Sequence, residues 1–244
     1  GYMTVWYVIA LVRKRNDLAD TAWGLGFIMI ALLALLGQEP LSSRLGLVAA
    51  LVLAWGVRLA MHVYSRNRGK AEDFRYAQWR ADWGKWFLIR TYLQVFLLQG
   101  VFMLLIAASI VVVGADGGGA IGWLDGLGVA VWLLGFVFES VGDAQLKAFV
   151  SDPTSRGKIL DTGLWRYTRH PNYFGEVTQW WGIWLIALST QFGWVAVVSP
   201  LTITILLLFV SGVPMLEKKM AENPGWAEYA ARTSVFVPLP PKKG

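Results

Sequence analysis

The chain has 244 residues, of which 56% are hydrophobic and 16% charged, and its formal net charge is +6. A typical soluble domain carries about 25% charged residues, so this composition excludes a soluble globular protein and predicts an all-α polytopic membrane protein. With no cysteine and only two histidines, disulfides, iron–sulfur clusters, thiol nucleophiles and histidine-rich metal centres are excluded, and no metal site is expected.

The apolar runs predict about seven membrane-spanning helices in a single domain without a separate soluble part. A polar segment at residues 65–85 and a glycine-rich turn at 114–119 separate the middle spans. No cleavable signal peptide is expected, because Arg13, Lys14 and Arg15 stop the first apolar run. Pro214 is predicted to close the last span. The predicted spans cover residues 2–12, 17–36, 42–64, 86–113, 121–150, 174–188 and 192–214.

The basic residues predict the orientation of the chain. All but two of its 22 lysines and arginines, Arg44 and Arg58, lie in four segments: residues 13–15, 66–90, 147–169 and 218–243. Seven spans would bring all four segments to one side, which the positive-inside rule makes cytoplasmic. The N-terminus is therefore expected outside and the C-terminus in the cytoplasm. Since topology accounts for the net charge, no nucleic-acid partner is expected.

Ionisable residues within predicted spans are functional candidates because charge at membrane depth is costly, and four of them stand out. They are Arg58, Glu139, Asp143 and Glu176. Glu139, Asp143 and Lys147 are spaced four apart, so they form one polar stripe that must face protein or water. An ordinary Asp143–Lys147 pair at the membrane interface is the alternative, but it leaves Glu139 without a partner.

Residues 161–182 contain the highest concentration of candidate functional side chains in the chain. Pro171 ends the preceding loop and suits the first turn of a helix that continues from Asn172. Asn172, Tyr173 and Glu176 then share one face of that turn. Basic residues at 166 and 169 and His170 stand just before the positive end of the helix dipole, which favours an anionic cofactor. The alternative is a basic interfacial loop that leads into an ordinary span.

The motif GLWRYTRHPNYFGE (163–176) resembles the C-terminal signature of a membrane superfamily. That superfamily includes steroid 5α-reductases, sterol C14 and C7 reductases and isoprenylcysteine carboxyl methyltransferases. The similarity runs from about residue 17 to the C-terminus and is closest to a bacterial branch related to the steroid 5α-reductases. The resemblance implies nucleotide binding by Glu139, Asp143, Lys147, Lys158, Tyr167, His170, Asn172, Tyr173, Glu176 and Glu217.

The same resemblance implies a substrate-side half over residues 1–120 and a nucleotide-binding half over residues 121–244. It also implies a bacterial inner membrane protein with its nucleotide site facing the cytoplasm. Tyr64 and Ser65 precede an Asn–Arg–Gly turn at residues 67–69, similar to an arrangement in the steroid 5α-reductases. By that likeness Tyr64 hydrogen-bonds the ketone of the substrate, although a tyrosine here also suits an interfacial belt.

The second span departs from the steroid reductases, which carry a Gln–Glu pair that this chain lacks. Asp20 precedes the apolar run TAWGLGF (21–27) and could replace that pair as the acidic partner of the substrate oxygen. It could equally be an acid favoured at a helix N-terminus by the dipole.

The choice of nucleotide lies between NADPH and S-adenosylmethionine. NADPH carries a pyrophosphate and a 2′-phosphate whereas the methyl donor is a cation, so the basic loops favour NADPH. No G-x-G-x-x-G motif follows a strand, which excludes a Rossmann site.

The leading hypothesis is an NADPH-dependent oxidoreductase acting on CH–CH groups. It would reduce a C=C bond conjugated to a ketone in a hydrophobic small molecule, such as a 3-oxo-4-ene steroid or another lipid. One alternative is an S-adenosylmethionine-dependent methyltransferase acting on a lipid-linked carboxylate. Another is a non-enzymatic lipid-binding or scaffold protein, which would leave the buried acids unexplained. Membrane lipid is expected to surround the chain in every case.

Overall fold

The computed structural model describes residues 1–69, 74–116 and 119–242. This part of the chain is helical without a β-strand, which confirms the predicted fold class. Five helices within it are long and apolar enough to cross a membrane, so the chain is an integral membrane protein. They are Leu18–Leu36, Ser43–Asn67, Gln78–Ile106, Trp123–Ser151 and Gly193–Met220. Two other predicted spans coincide with the shorter helices Tyr2–Arg13 and Pro171–Ala187, so the count of seven stays a prediction.

The first of two compact units comprises residues 1–121 and 190–196. At its centre α2 packs on α3, where the buried rings of Phe27 and Trp55 lie 5.4 Å apart. A π-helical stretch, Thr91–Leu97, joins α5 to α6. The helices of this unit are α1 (Tyr2–Arg13), α2 (Leu18–Leu36), α3 (Ser43–Asn67), α4 (Phe74–Trp83), α5 (Phe87–Arg90), α6 (Leu98–Ile106) and α7 (Ala108–Ala115).

The second compact unit comprises residues 122–189 and 197–244. Its long helix α8 packs along α9, and the loop between these two helices holds a short 3-10 turn, Gly163–Arg166. The helices of this unit are α8 (Trp123–Ser151), α9 (Pro171–Ala187), α10 (Val198–Ile205), α11 (Val213–Met220) and α12 (Trp226–Arg232).

Several helix boundaries differ from the prediction. The predicted polar segment 65–85 contains helix α4, and α3 continues to Asn67. Pro214 lies in the first turn of α11 rather than at the end of a helix. Proline suits that position because the first N–H groups of a helix have no intrahelical acceptor. Residues 70–73 and 117–118, which belong to the predicted polar segment and glycine-rich turn, lie outside the described residues.

Glycines let α8 and α9 approach each other closely. Gly128, Gly135 and Gly142 recur every seven residues on α8, a spacing that keeps them on nearly one face. A Cβ atom added at Gly135 would lie 2.5 Å from the carbonyl oxygen of Gly175 and 2.7 Å from the amide nitrogen of Gln179. Small residues of this kind are typical of helix contacts in membranes. The close approach holds the polar residues of α8 directly against α9.

The Gly135→Ala variant should therefore lose about 1–3 kcal/mol of stability, the usual cost of inserting atoms into a packed interface. Gly126→Ala is the matched control, because a Cβ atom at this other α8 glycine would meet nothing within 4 Å. Alanine there should be neutral or stabilise the helix by up to about 1 kcal/mol. Thermal unfolding in detergent micelles compares the two variants. Equal stabilities would contradict the close packing of α8 on α9.

Candidate functional site

A buried polar cluster lies where α8 meets the first three turns of α9. The Asn172 side-chain amide donates to the Asp143 carboxylate at 3.2 Å, and the Gln179 amide donates to the Glu139 carboxylate at 2.5 Å. Asp143, Glu139 and Gln179 are all buried. Both acids of the predicted polar stripe thus face protein, and each has an amide partner on α9.

Gln179 is a member of this cluster that the sequence interpretation missed. It follows Asn172 by seven residues and Glu176 by three, so helical spacing alone places it near their face. Its Oε1 atom is buried and has no hydrogen-bond partner among the described residues. A buried acceptor of this kind usually finds a partner in a protein, a ligand or an ordered water.

Lys147, the third residue of the polar stripe, is not part of the buried cluster. Lys147 is exposed, and among the described residues it forms no ion pair with Asp143. The interfacial Asp143–Lys147 pair considered above is therefore absent from this part of the chain, and Asn172 takes its place as the partner of Asp143. Lys158 is exposed as well.

The loop that precedes α9 forms hydrogen bonds with α8 and with α12. The Trp165 indole N–H donates to the carbonyl of Gly142 at 3.2 Å, and the amide of Leu164 donates to Gln145 at 3.0 Å, which joins the loop to α8. The hydroxyl of Tyr229 on α12 donates to the carbonyl of Trp165 at 2.6 Å. Burial raises the pKa of Tyr229 well above its ordinary value, so this donor keeps its proton.

Glu217 on α11 joins two residues of the motif. Its carboxylate lies 3.0 Å from Nε of Arg169 and 3.1 Å from Nε2 of His170. Burial lowers the pKa of His170 below 6.5, although the hydrogen bond and the charge of Glu217 act in the opposite direction. The His170 ring also stacks on Tyr173, with ring centroids 5.6 Å apart. Arg169 and His170, expected to receive an anion, thus have an internal carboxylate partner.

The C-terminal segment 233–239 packs along the motif, a contact that the sequence interpretation missed. The amide of Arg169 donates to the carbonyl of Ser234 at 2.9 Å, and the Thr168 hydroxyl donates to the carbonyl of Phe236 at 2.8 Å. The amide of Leu239 donates to the carbonyl of Tyr167 at 3.0 Å. Tyr167 leaves 43% of its surface exposed, while Glu176 on α9 is half-buried.

A cavity of about 760 Å³ opens beside the motif within this second unit. Arg166 and Lys242 bring positive charge to it, and Arg232 lies in its wall, paired with Asp161 at 2.5 Å. The remaining lining residues are Thr162, Gly163, Glu228, Ala231, Thr233 and Pro241. The cavity is large enough for a small-molecule ligand, and it is polar and partly cationic.

The predicted catalytic residues Tyr64 and Asp20 both lie in the first unit. Asp20 accepts a hydrogen bond from the buried Tyr76 hydroxyl at 3.4 Å and lies 3.7 Å from the Arg66 guanidinium. Tyr64 is 59% exposed near the end of α3, and no hydrogen bond joins it to Asp20 in the described part of the chain. Tyr76, which the sequence interpretation did not consider, is thus a second tyrosine beside the candidate acid.

The geometry defines an all-helical integral membrane protein with a buried amide–carboxylate cluster beside a basic motif. In residues 1–69, 74–116 and 119–242 no cluster of three or more histidine or acidic side chains could hold a metal ion. A family profile described as "Protein of unknown function (DUF1295)" matches residues 6–233. The chain belongs to this family, which falls within the steroid 5-alpha-reductase-like superfamily. The superfamily resemblance is therefore confirmed, whereas the bacterial branch stays a prediction.

Two proteins show sequence similarity to the chain. An uncharacterized protein of Schizosaccharomyces pombe is 26% identical over 269 residues, which cover 96% of this chain and 76% of the yeast protein. The 3-oxo-5-alpha-steroid 4-dehydrogenase 1 of Bos taurus is 37% identical over 67 residues, which cover 28% of this chain and 26% of the bovine protein. No solved structure matches the chain.

Proposed function

We propose that the protein is an NADPH-dependent membrane reductase that acts on a C=C bond conjugated to a ketone in a hydrophobic substrate, such as a 3-oxo-4-ene steroid. Membership of the steroid 5-alpha-reductase-like superfamily and the partial likeness to the bovine enzyme support a reductase-like function. The observation that carries the proposal is the buried cluster of Asp143, Asn172, Glu139 and Gln179. Ionisable groups buried inside a membrane protein are costly and usually functional.

The residues of the second unit fit a phosphate-bearing nucleotide. Arg166 and Lys242 supply cations to the 760 Å³ cavity, and Lys147 and Lys158 are exposed. Guanidinium and ammonium groups bind phosphate through charge-assisted hydrogen bonds. S-adenosylmethionine, which has a net positive charge and no phosphate, would gain less from these four basic groups.

Ten side chains are proposed to hold the nucleotide, either directly or by positioning those that do. NADPH, when bound, supplies the hydride for the reduction. Asp143 orients the Asn172 amide, and Glu217 orients His170 and Arg169. The proposed set is Glu139, Asp143, Lys147, Lys158, Tyr167, His170, Asn172, Tyr173, Glu176 and Glu217.

The proposed catalytic role of Tyr64 concerns the carbonyl of the substrate. Reduction of the conjugated double bond at its β-carbon develops negative charge on that oxygen. A tyrosine O–H aimed at the oxygen would stabilise the charge where it appears, and an adjacent acid such as Asp20 would assist. Exclusion of water would strengthen the hydrogen bond.

We further propose seven spans, with the basic segments on the cytoplasmic face of a bacterial inner membrane. The N-terminus is then outside, and the nucleotide site faces the cytoplasm. The clustering of basic residues in four segments supports this orientation. In this proposal residues 1–120 form the substrate-side half and residues 121–244 the nucleotide-binding half.

Calorimetry on the detergent-purified chain tests the nucleotide. NADPH should bind more tightly than NADH and than S-adenosylmethionine, and NADPH should be oxidised when a 3-oxo-4-ene steroid is added. Asn172→Ala and Glu176→Ala should each weaken NADPH binding about tenfold, the effect of about 1.4 kcal/mol from one polar contact. Asn223→Ala, an asparagine outside the cluster, serves as the control. Tight binding of S-adenosylmethionine without NADPH binding would replace the reductase by a methyltransferase.

A further inference from the structure

A second cavity, of about 490 Å³, lies in the first unit at the end of α1. One side of it comes from the last turn of α1 and the residues just after that helix, and the other side comes from α4 and α5. Its lining residues are Ala10, Leu11, Lys14, Asn16, Arg80, Phe87 and Leu88. None of the residues assigned to the proposed reaction belongs to this set.

The apolar part of the cavity continues the packing of α1 on the stretch 87–97. The Tyr7 hydroxyl donates to the carbonyl of Leu88 at 3.0 Å, and the Tyr7 ring lies 5.3 Å from that of Phe96. Leu11, one turn further along α1, lines the cavity together with Leu88, and 38% and 52% of their surfaces are exposed. These two leucines give the cavity an open apolar wall on helices of the membrane region.

The polar part of the cavity is positively charged. Lys14 ends α1 in the left-handed conformation, and its ammonium group has no ion-pair or hydrogen-bond partner among the described residues. Arg80 holds its guanidinium 4.3 Å from the centroid of the Phe87 ring. Among the described residues, the cavity lining contains no acidic side chain. The cavity is therefore lined by two basic side chains, Lys14 and Arg80, together with the apolar side chains of Leu11 and Leu88.

We propose that this cavity binds an anionic phospholipid, with the phosphate between Lys14 and Arg80 and an acyl chain along Leu11 and Leu88. The charge is complementary to a phosphate, and basic pockets between membrane helices are known to select acidic headgroups. Long basic side chains readily keep their charge at the headgroup level while their stems cover apolar surface. A soluble phosphate compound would use the two cations but leave the leucine wall uncovered. The proposal does not depend on the reductase assignment.

Native mass spectrometry of the detergent-purified full chain tests this site, with phosphatidylglycerol and phosphatidylcholine as the probes. The parent protein should retain one phosphatidylglycerol more tightly than any phosphatidylcholine. The double variant Lys14→Ala/Arg80→Ala should bind phosphatidylglycerol about 25-fold more weakly, since each basic group near an acidic headgroup contributes a factor of about five. Arg13→Ala/Lys85→Ala removes two nearby charges that do not line the cavity and should change the affinity little.

Three outcomes would overturn the proposal. Equal loss in both double variants would show a diffuse electrostatic effect rather than a site. Equal retention of phosphatidylcholine by the parent would remove the selectivity for acidic headgroups. Displacement of phosphatidylglycerol by millimolar inorganic phosphate would show that the cations bind free phosphate without a lipid chain.

Discussion

Glu217→Ala should lower the free energy of unfolding by about 3 kcal/mol, the lower end of the cost of breaking a buried ion pair by removing one partner. The Arg169 and His170 side chains are only 9% and 4% exposed. Without Glu217, the Arg169 charge would stay buried without a carboxylate among the described residues. His170 would also lose the hydrogen bond and the charge that raise its pKa, so its neutral form would be favoured further.

Two comparisons separate the charge from the shape of Glu217. Glu217→Gln keeps the size of the side chain and should still destabilise the protein, because Arg169 needs a negative partner. Glu222→Ala removes an exposed acid from the residues after α11 and should change stability by less than about 0.5 kcal/mol. Thermal unfolding in detergent measures all three variants. An unchanged melting temperature for Glu217→Ala with loss of NADPH binding would assign Glu217 to the ligand rather than to the fold.

Proline and helix spacing explain what the sequence could and could not predict of the fold. The sequence predicts that Pro171 lies in the first turn of a helix, and α9 begins there. For Pro214 the sequence predicts the end of a span, but this proline lies in the first turn of α11. Proline breaks a helix in its interior and starts one at its first turn. Pro214 starts a helix because the preceding helical stretch ends before Ser211 and Gly212. The pattern of apolar residues in the sequence does not indicate that end.

For the candidate site, the sequence predicts which residues of one helix share a face, but it does not predict their partners from distant parts of the chain. The four-residue spacing of Glu139 and Asp143 was enough to predict one polar face, and both side chains lie buried against α9. Their partners Asn172 and Gln179 are 29 and 40 residues away in the chain. The packing of Phe236 and Leu239 along the motif spans an even longer separation. Such pairs depend on tertiary packing, which periodicity within one helix does not encode.

Tyr64→Phe should lower the rate of NADPH oxidation with an enone substrate about 10²–10³-fold, because it removes one donor to the developing oxyanion. NADPH affinity should hardly change, since Tyr64 lies outside the proposed nucleotide-binding set. Stability should also hold, because the Tyr64 hydroxyl has no hydrogen-bond partner among the described residues and the side chain is 59% exposed. Single-turnover measurements at saturating NADPH report the chemical step directly.

Tyr76→Phe is the matched comparison, because Tyr76 rather than Tyr64 donates to Asp20. Tyr76 is only 2% exposed, so its loss should cost about 0.5–1.5 kcal/mol of stability through that hydrogen bond while the rate stays within a few-fold of the parent. The opposite result, a full rate in Tyr64→Phe and a collapse in Tyr76→Phe, would transfer the donor role to the tyrosine beside the candidate acid. Tyr64 would then be an interfacial belt residue, which its exposure also suits.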